Sequence, residues 1–195
     1  AYLQDAIDYY SEEWARTHNS FAKFSLAARV GWWAERLISD GYGDPDSCRD
    51  DETALECEYR WVRPSVALIL LGTNDVPTSS IENYSNSMRQ VIEISLAHGV
   101  IPVLSTIPPM DREGAADRVD LINSEITSLA REYEIPLWDY HAALRDLPDH
   151  GLGYDGVHPS WAPRDHTADF APEYLQYGMT VRSLTALQAL DEIWR

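Results

Sequence analysis

The chain has 195 residues, 45% hydrophobic and 24% charged, which suits one soluble domain large enough to bury a real core. A net charge of −17, with Lys23 the only lysine, argues against nucleic acid or an anionic membrane as a partner. No stretch approaches the roughly 18 consecutive apolar residues of a membrane span, so no membrane span is expected.

The chain opens Ala1-Tyr2-Leu3-Gln4, without initiator methionine or signal peptide, so we expect a processed or partial product of a longer protein. Leu3, Ala6, Ile7, Tyr10 and Trp14 recur at helical spacing and predict a helix over residues 2–16. Phe21 to Leu26 reads as a short strand. Gly31 opens a helical stretch through Trp32, Trp33, Ala34 and Leu37 that stops near Gly41. Residues 42–58 read as a polar loop holding Pro45, Cys48 and Cys57. These two cysteines either close a small disulfide loop in an oxidising compartment or stand as unrelated thiols. No second Cys or His pair lies at ligand spacing, so no zinc site is expected.

Val66 to Leu71 is a continuous apolar run between Pro64 and Gly72, the pattern of a strand buried on both faces of a parallel sheet. Ser80 is placed to cap a helix running to about His98, which Gly99 stops. A second strand covers Val100 to Ser105, closed by Pro108-Pro109. A helix over 116–133 carries Leu121, Ile122, Ile126 and Leu129 on one face. Ile135 to Trp138 is a third strand, a short helix follows over 140–145, and the last helix covers 178–194. This alternation predicts right-handed βαβ units in a single domain over 1–195, a three-layer αβα sandwich. Sites in such folds gather beyond the carboxyl ends of the strands, where Thr73, Asn74 and Asp75, and then Ser105 and Thr106, are expected.

Two motifs carry chemistry. In Asp155-Gly156-Val157-His158, followed by Pro159, an Asp three residues before a His can orient and charge-stabilise the imidazole as a general base. A plain surface turn is the alternative. In Leu71-Gly72-Thr73-Asn74-Asp75, the Asn74 side chain can offer an N–H to a developing oxyanion, or simply cap the loop as an Asx-turn. Asp75 reads as support for that loop. His150, His158 and His166 recur at intervals of eight, which suits neither helical nor strand ligation, so no metal is expected. Trp161 and Tyr154, beside the Asp-x-x-His run, are candidate substrate contacts or ordinary pocket wall.

Gly72-x-Asn74-Asp75 after an apolar strand, with Asp155-x-x-His158 near the C-terminus, resembles the SGNH (GDSL-type) hydrolase superfamily, from about Phe21 onward. The resemblance implies a flavodoxin-like parallel sheet and hydrolysis of carboxylic esters, on lipids, carbohydrates or small alcohols, through an acyl-enzyme without cofactor. By position His158 would be the base, Asp155 its partner, and Asn74 and Gly31 the oxyanion donors, Gly31 through a backbone N–H at a helix N-terminus. The family's serine lies in a Gly-Asp-Ser motif after the first strand, and no such tripeptide occurs here. Gly43-Asp44-Pro45-Asp46-Ser47 falls in the acidic loop, and Ser105 stands where a serine ordinarily bonds local backbone. The nucleophile strand is therefore expected upstream of Ala1, leaving an open apolar slot in the sheet. The rival expectation is a non-catalytic carbohydrate- or surface-binding module on the same fold. The cysteine pair and the missing start together imply secretion.

Overall fold

The computed structural model describes residues 2–195 except 13, 16–17 and 20–23. Helix α1 (Gln4–Glu12) is followed by a short antiparallel pair, β1 (Trp14–Ala15) and β2 (His18–Asn19). Then come α2 (Ala34–Ile38), α3 (Ala54–Val62), β3 (Val66–Ile69), α4 (Ile81–Ala97), β4 (Ile101–Ser105), α5 (Ala116–Glu132), β5 (Leu137–Trp138), α6 (Tyr140–Leu144) and α7 (Gly178–Trp194). No described helix is long and apolar enough to cross a membrane.

The main sheet runs in the order β3-β4-β5, with every pairing parallel and Val66 opposite Ile101 and Leu104 opposite Leu137. Pleating sends alternate residues to opposite faces. Ile69 and Leu104 join Tyr84, Met88, Val91 and Ile92 of α4 and Ile122, Ile126 and Leu129 of α5 in one core. Val103 and Trp138 pack on Tyr140, Leu144 and Val181 in a second core on the opposite side. Helices thus cover both faces, a three-layer α/β sandwich. Helix α1 lies on α7, where the Tyr9 ring stacks on Trp194 with centroids 5.3 Å apart.

Helices α4, α5 and α7 fall within a residue or two of expectation. The first helix is shorter than its apolar period suggests, because Trp14 and Ala15 leave it to pair with His18 and Asn19. Of the strand expected over 21–26, residues 21–23 lie outside the described part, and Phe24 to Leu26 form no strand. The Leu26 N–H is taken by the Glu58 carboxylate at 2.6 Å and the Ala27 N–H by Ser25 Oγ, so side chains replace a ladder there.

Helix α3 begins inside the expected loop. Its start is a reciprocal capping box: Thr53 Oγ1 accepts from the Glu56 N–H and Glu56 Oε2 accepts from the Thr53 N–H. Cys48 and Cys57 form a disulfide that ties the acidic loop to this helix. Closing so short a loop stabilises a fold by roughly 2–3 kcal/mol on chain-entropy grounds. Reductant should therefore lower the urea midpoint of the wild-type chain and leave a Cys48→Ser/Cys57→Ser variant unmoved. Equal midpoints for the wild type with and without reductant would refute this.

Strand β3 departs from the sequence pattern. Its run reads as buried on both faces, yet among the described residues β3 lies at the sheet edge. Leu68 is 37% exposed and Ile101, on the neighbouring strand, 42%. The ladder also stops at Ile69, and two residues farther on the Leu71 carbonyl accepts from the Tyr84 hydroxyl at 3.0 Å.

Candidate active site

The first rim loop follows β3. Gly72 lies against Ile107, and the chain turns so that the Asp75 N–H donates to the Gly72 carbonyl at 3.0 Å. The Asp75 carboxylate is buried and accepts from the Ala34 N–H, at 3.1 and 3.3 Å to its two oxygens, and from Ser79 Oγ at 2.9 Å. Burial raises its pKa above the usual carboxylate range, and these donors oppose the rise. Asp75 therefore supports the loop, as its place in the motif suggested. Asn74 is exposed, and its Nδ2 donates to the Trp32 carbonyl at 2.9 Å.

That bond brings the Gly31-Trp32 segment beside Asn74, so the two expected oxyanion donors are neighbours. The setting of Gly31 needs correction. It stands in a turn at φ +77°, three residues ahead of α2, and the helix begins only at Ala34, whose N–H is already met by Asp75. Gly31 thus gains no helix-terminus field.

The second rim loop follows β4. Ser105 Oγ donates to the Thr106 carbonyl at 2.9 Å and is buried, which removes it as a nucleophile. Asn123 clasps Ile107 at both its N–H (2.7 Å) and its carbonyl (3.1 Å). Farther along, the Asp111 N–H donates to the Gly156 carbonyl at 2.7 Å. Through these contacts the Asn74 loop, the loop after β4 and the Asp-x-x-His turn share one rim of the sheet.

The third element is that turn. The Gly153 N–H donates to the His158 carbonyl at 2.7 Å. Asp155 Oδ1 accepts from the Val157 and His158 N–H groups, both at 3.0 Å, and Oδ2 meets His158 Nδ1 at 2.6 Å. The His158 bond, followed by the two backbone N–H groups, holds the Asp155 carboxyl well below the usual range. With Nδ1–H given to Asp155, the neutral ring keeps its lone pair on Nε2, on a side chain 75% exposed. Gly156 holds φ +67°, and a Cβ there would come within 2.7 Å of the Asp111 carbonyl.

Ser160, which the sequence did not single out, anchors the turn from behind. Its hydroxyl donates to the Gly151 carbonyl and accepts from the Gly178 N–H, at 3.1 and 2.9 Å. The turn is thereby pinned to the start of α7. Tyr154 and Trp161 flank the turn and are both exposed. The three periodic histidines have separate partners: His150 bonds the Arg145 carbonyl, His158 Asp155, and His166 Asp169. Among the described residues no three His, Cys, Asp or Glu side chains gather as a metal site.

A parallel sheet between helical layers, with its polar turns gathered beyond the strand ends, defines a three-layer α/β sandwich with its site at the carboxyl ends of the strands. Residues 15–162 match the GDSL-like lipase/acylhydrolase family, and the chain belongs to that family. Among solved structures it is similar to a GDSL-like lipase from Bacteroides thetaiotaomicron, at 19% identity and TM-score 0.56, over 71% of this chain and 68% of that one. It is also similar to a catalytic mutant of Axe2, an acetylxylan esterase from Geobacillus stearothermophilus, at 18% identity and TM-score 0.52, over 68% of this chain and 62% of that one. No curated protein matches the sequence at a significant level.

Proposed function

We propose that the chain supplies the acid–base half of a serine ester hydrolase. The observation that carries this reading is the Asp155–His158 contact at 2.6 Å, with Nε2 left as the open base. A serine oxygen attacks the ester carbonyl carbon while His158 Nε2 takes its proton. Asn74 Nδ2 and the Gly31 N–H meet the charge that forms on the carbonyl oxygen. The leaving alcohol departs with the proton from His158, and water then repeats the sequence on the acyl-enzyme.

The serine comes on a further strand, from an upstream segment, seated along the open edge of β3. Support for this lies in the edge itself: an apolar strand with one flank unpaired among the described residues and Leu68 exposed is a template for another strand. The substrate is a small-molecule or carbohydrate ester, with Trp161 and Tyr154 beside the reacting group. An acetylxylan esterase shares the fold, which makes sugar acetates the first class to try. The disulfide favours an exported protein.

The test compares this chain with one extended upstream, using a short-chain p-nitrophenyl ester. The extended protein should turn over and this chain should stay near background. Absence of hydrolysis by the extended protein would favour a binding module. Full activity in its His158→Ala variant would remove His158 from the mechanism.

A further inference from the structure

A second cleft lies at the other end of the sheet. Pro64, just ahead of β3, and Val100, just ahead of β4, line it together with Tyr59 of α3, so it sits at the amino ends of the strands. Its volume is about 550 Å³, the size of a small-molecule site. The rest of its wall is charged or polar: Arg49, Arg60, Arg63, Glu52, Glu56 and His98. The steps above use none of these residues.

The chain as a whole holds 32 acidic side chains to 15 lysines and arginines, and here the balance inverts to three arginines against two glutamates. Arg60 and Glu52 neutralise each other, through Nε with Oε1 and through Nη2 with Oε2 at 2.7 Å. Arg49 Nη1 lies 3.8 Å from the same carboxylate. Arg63 is the surplus cation, exposed and, among the described residues, without a side-chain partner. It closes α3 at φ 51°, in the left-handed region that ordinarily goes to glycine. Its N–H donates to the Tyr59 carbonyl at 2.9 Å, a bond that glycine would make as well, so what arginine adds there is the guanidinium.

Two acceptors share the cleft. His98 donates from Nδ1 to the Ile94 carbonyl at 2.8 Å and its ring lies 5.7 Å from that of Tyr59, which leaves the Nε2 lone pair of the neutral ring open. Glu56 gives Oε2 to the Thr53 N–H and hydroxyl, and its Oε1 has no partner among the described residues. One unmatched guanidinium beside two open acceptors calls for a ligand with a single negative charge and several hydroxyl donors. A dianion or polyanion would meet repulsion from Glu52 and Glu56, and a neutral sugar would leave Arg63 unmatched.

We propose that this cleft binds a sugar acid, a uronate whose carboxylate meets the Arg63 fork in parallel and whose hydroxyls donate to His98 Nε2 and Glu56 Oε1. The site stands apart from the hydrolase reading, because no residue of the Asn74–His158 rim takes part in it.

Glucuronate titrated into the present chain should bind saturably by calorimetry and shift the His98 ring resonances in NMR. Glucose should bind at least tenfold more weakly, and glucose 6-phosphate more weakly than glucuronate. Arg63→Gly should weaken glucuronate roughly ten- to a hundredfold, the scale of a lost charge-assisted hydrogen bond. That variant should melt no lower than the wild type, since glycine suits the left-handed cap. Arg63→Lys, which keeps the charge without the fork, should fall between. His158→Ala should bind glucuronate as the wild type does, which separates the cleft from the rim whether or not the extended protein hydrolyses esters. Absence of saturable binding, equal affinity for glucose, tighter binding of the phosphate, or unchanged affinity in Arg63→Gly would overturn the proposal.

Discussion

Asp155→Asn should lower kcat/KM for ester hydrolysis in the extended protein by about 10³- to 10⁴-fold, the scale on which a triad fails when its histidine loses the correct tautomer. The substitution changes shape very little, so the effect is one of hydrogen-bond polarity. Oδ1 accepts two backbone N–H groups and Oδ2 accepts from His158 Nδ1, which leaves no place for a donor. If the amide nitrogen faces the ring, His158 must place its proton on Nε2 and loses the lone pair that acts as base. If it faces the turn, it opposes the Val157 and His158 N–H groups and pushes the turn apart.

The pH profile supplies a second readout. A carboxyl whose folded pKa is depressed supports the turn fully above its unfolded value, about pH 4, and that support is lost progressively as the pH falls from there through the lowered folded value. Asp155 therefore stays charged across the working range, and the acid limb of the wild-type profile should be a single ionisation. A loss of less than tenfold in Asp155→Asn, or an acid limb needing two ionisations, would count against the assignment.

Gly178→Ala should destabilise the fold by roughly 2–3 kcal/mol, an overpacking cost, although alanine is the better helix former by about 1 kcal/mol. A Cβ at Gly178 would lie 2.1 Å from the Gly151 carbonyl oxygen and 3.0 Å from Pro159 Cβ. Backbone cannot rotate away as a side chain can. The same residue is fixed from other directions: its N–H donates to Ser160 Oγ and its carbonyl accepts from the buried Tyr140 hydroxyl at 3.0 Å. Relief must come from moving residues 151–160, and His158 moves with them. Thermal melts should show the loss, with His158 ring resonances displaced in the same variant. An unchanged Tm would show that the contact yields at no cost.

What could be read in advance followed local signals. Helices α4, α5 and α7 are long and periodic, and Ser80 and Gly99 mark the two ends of α4. The start of α3 was also written in the chain, as Thr53-x-x-Glu56, but the acidic stretch around it and the nearby Pro45 made the whole segment read as loop. The apolar run of β3 records that the strand is built to be covered, and says nothing of what covers it. Asn74, Asp155 and His158 could be named as candidates because side chains carry their chemistry. The Trp32 carbonyl that holds Asn74 was not, since every residue has a carbonyl and only the fold selects one. Ser160 escaped for a similar reason: its partners are backbone groups of Gly151 and Gly178.

The bond from Asn74 to Trp32 has one more consequence. A primary amide has two N–H vectors, and fixing one of them on a neighbour fixes the direction of the other. That bond holds the amide plane, so under the proposed mechanism its remaining dipole is aimed before any charge arrives. On that mechanism the reorientation that water would have to undergo at the moment of bond-making is completed when the polypeptide folds.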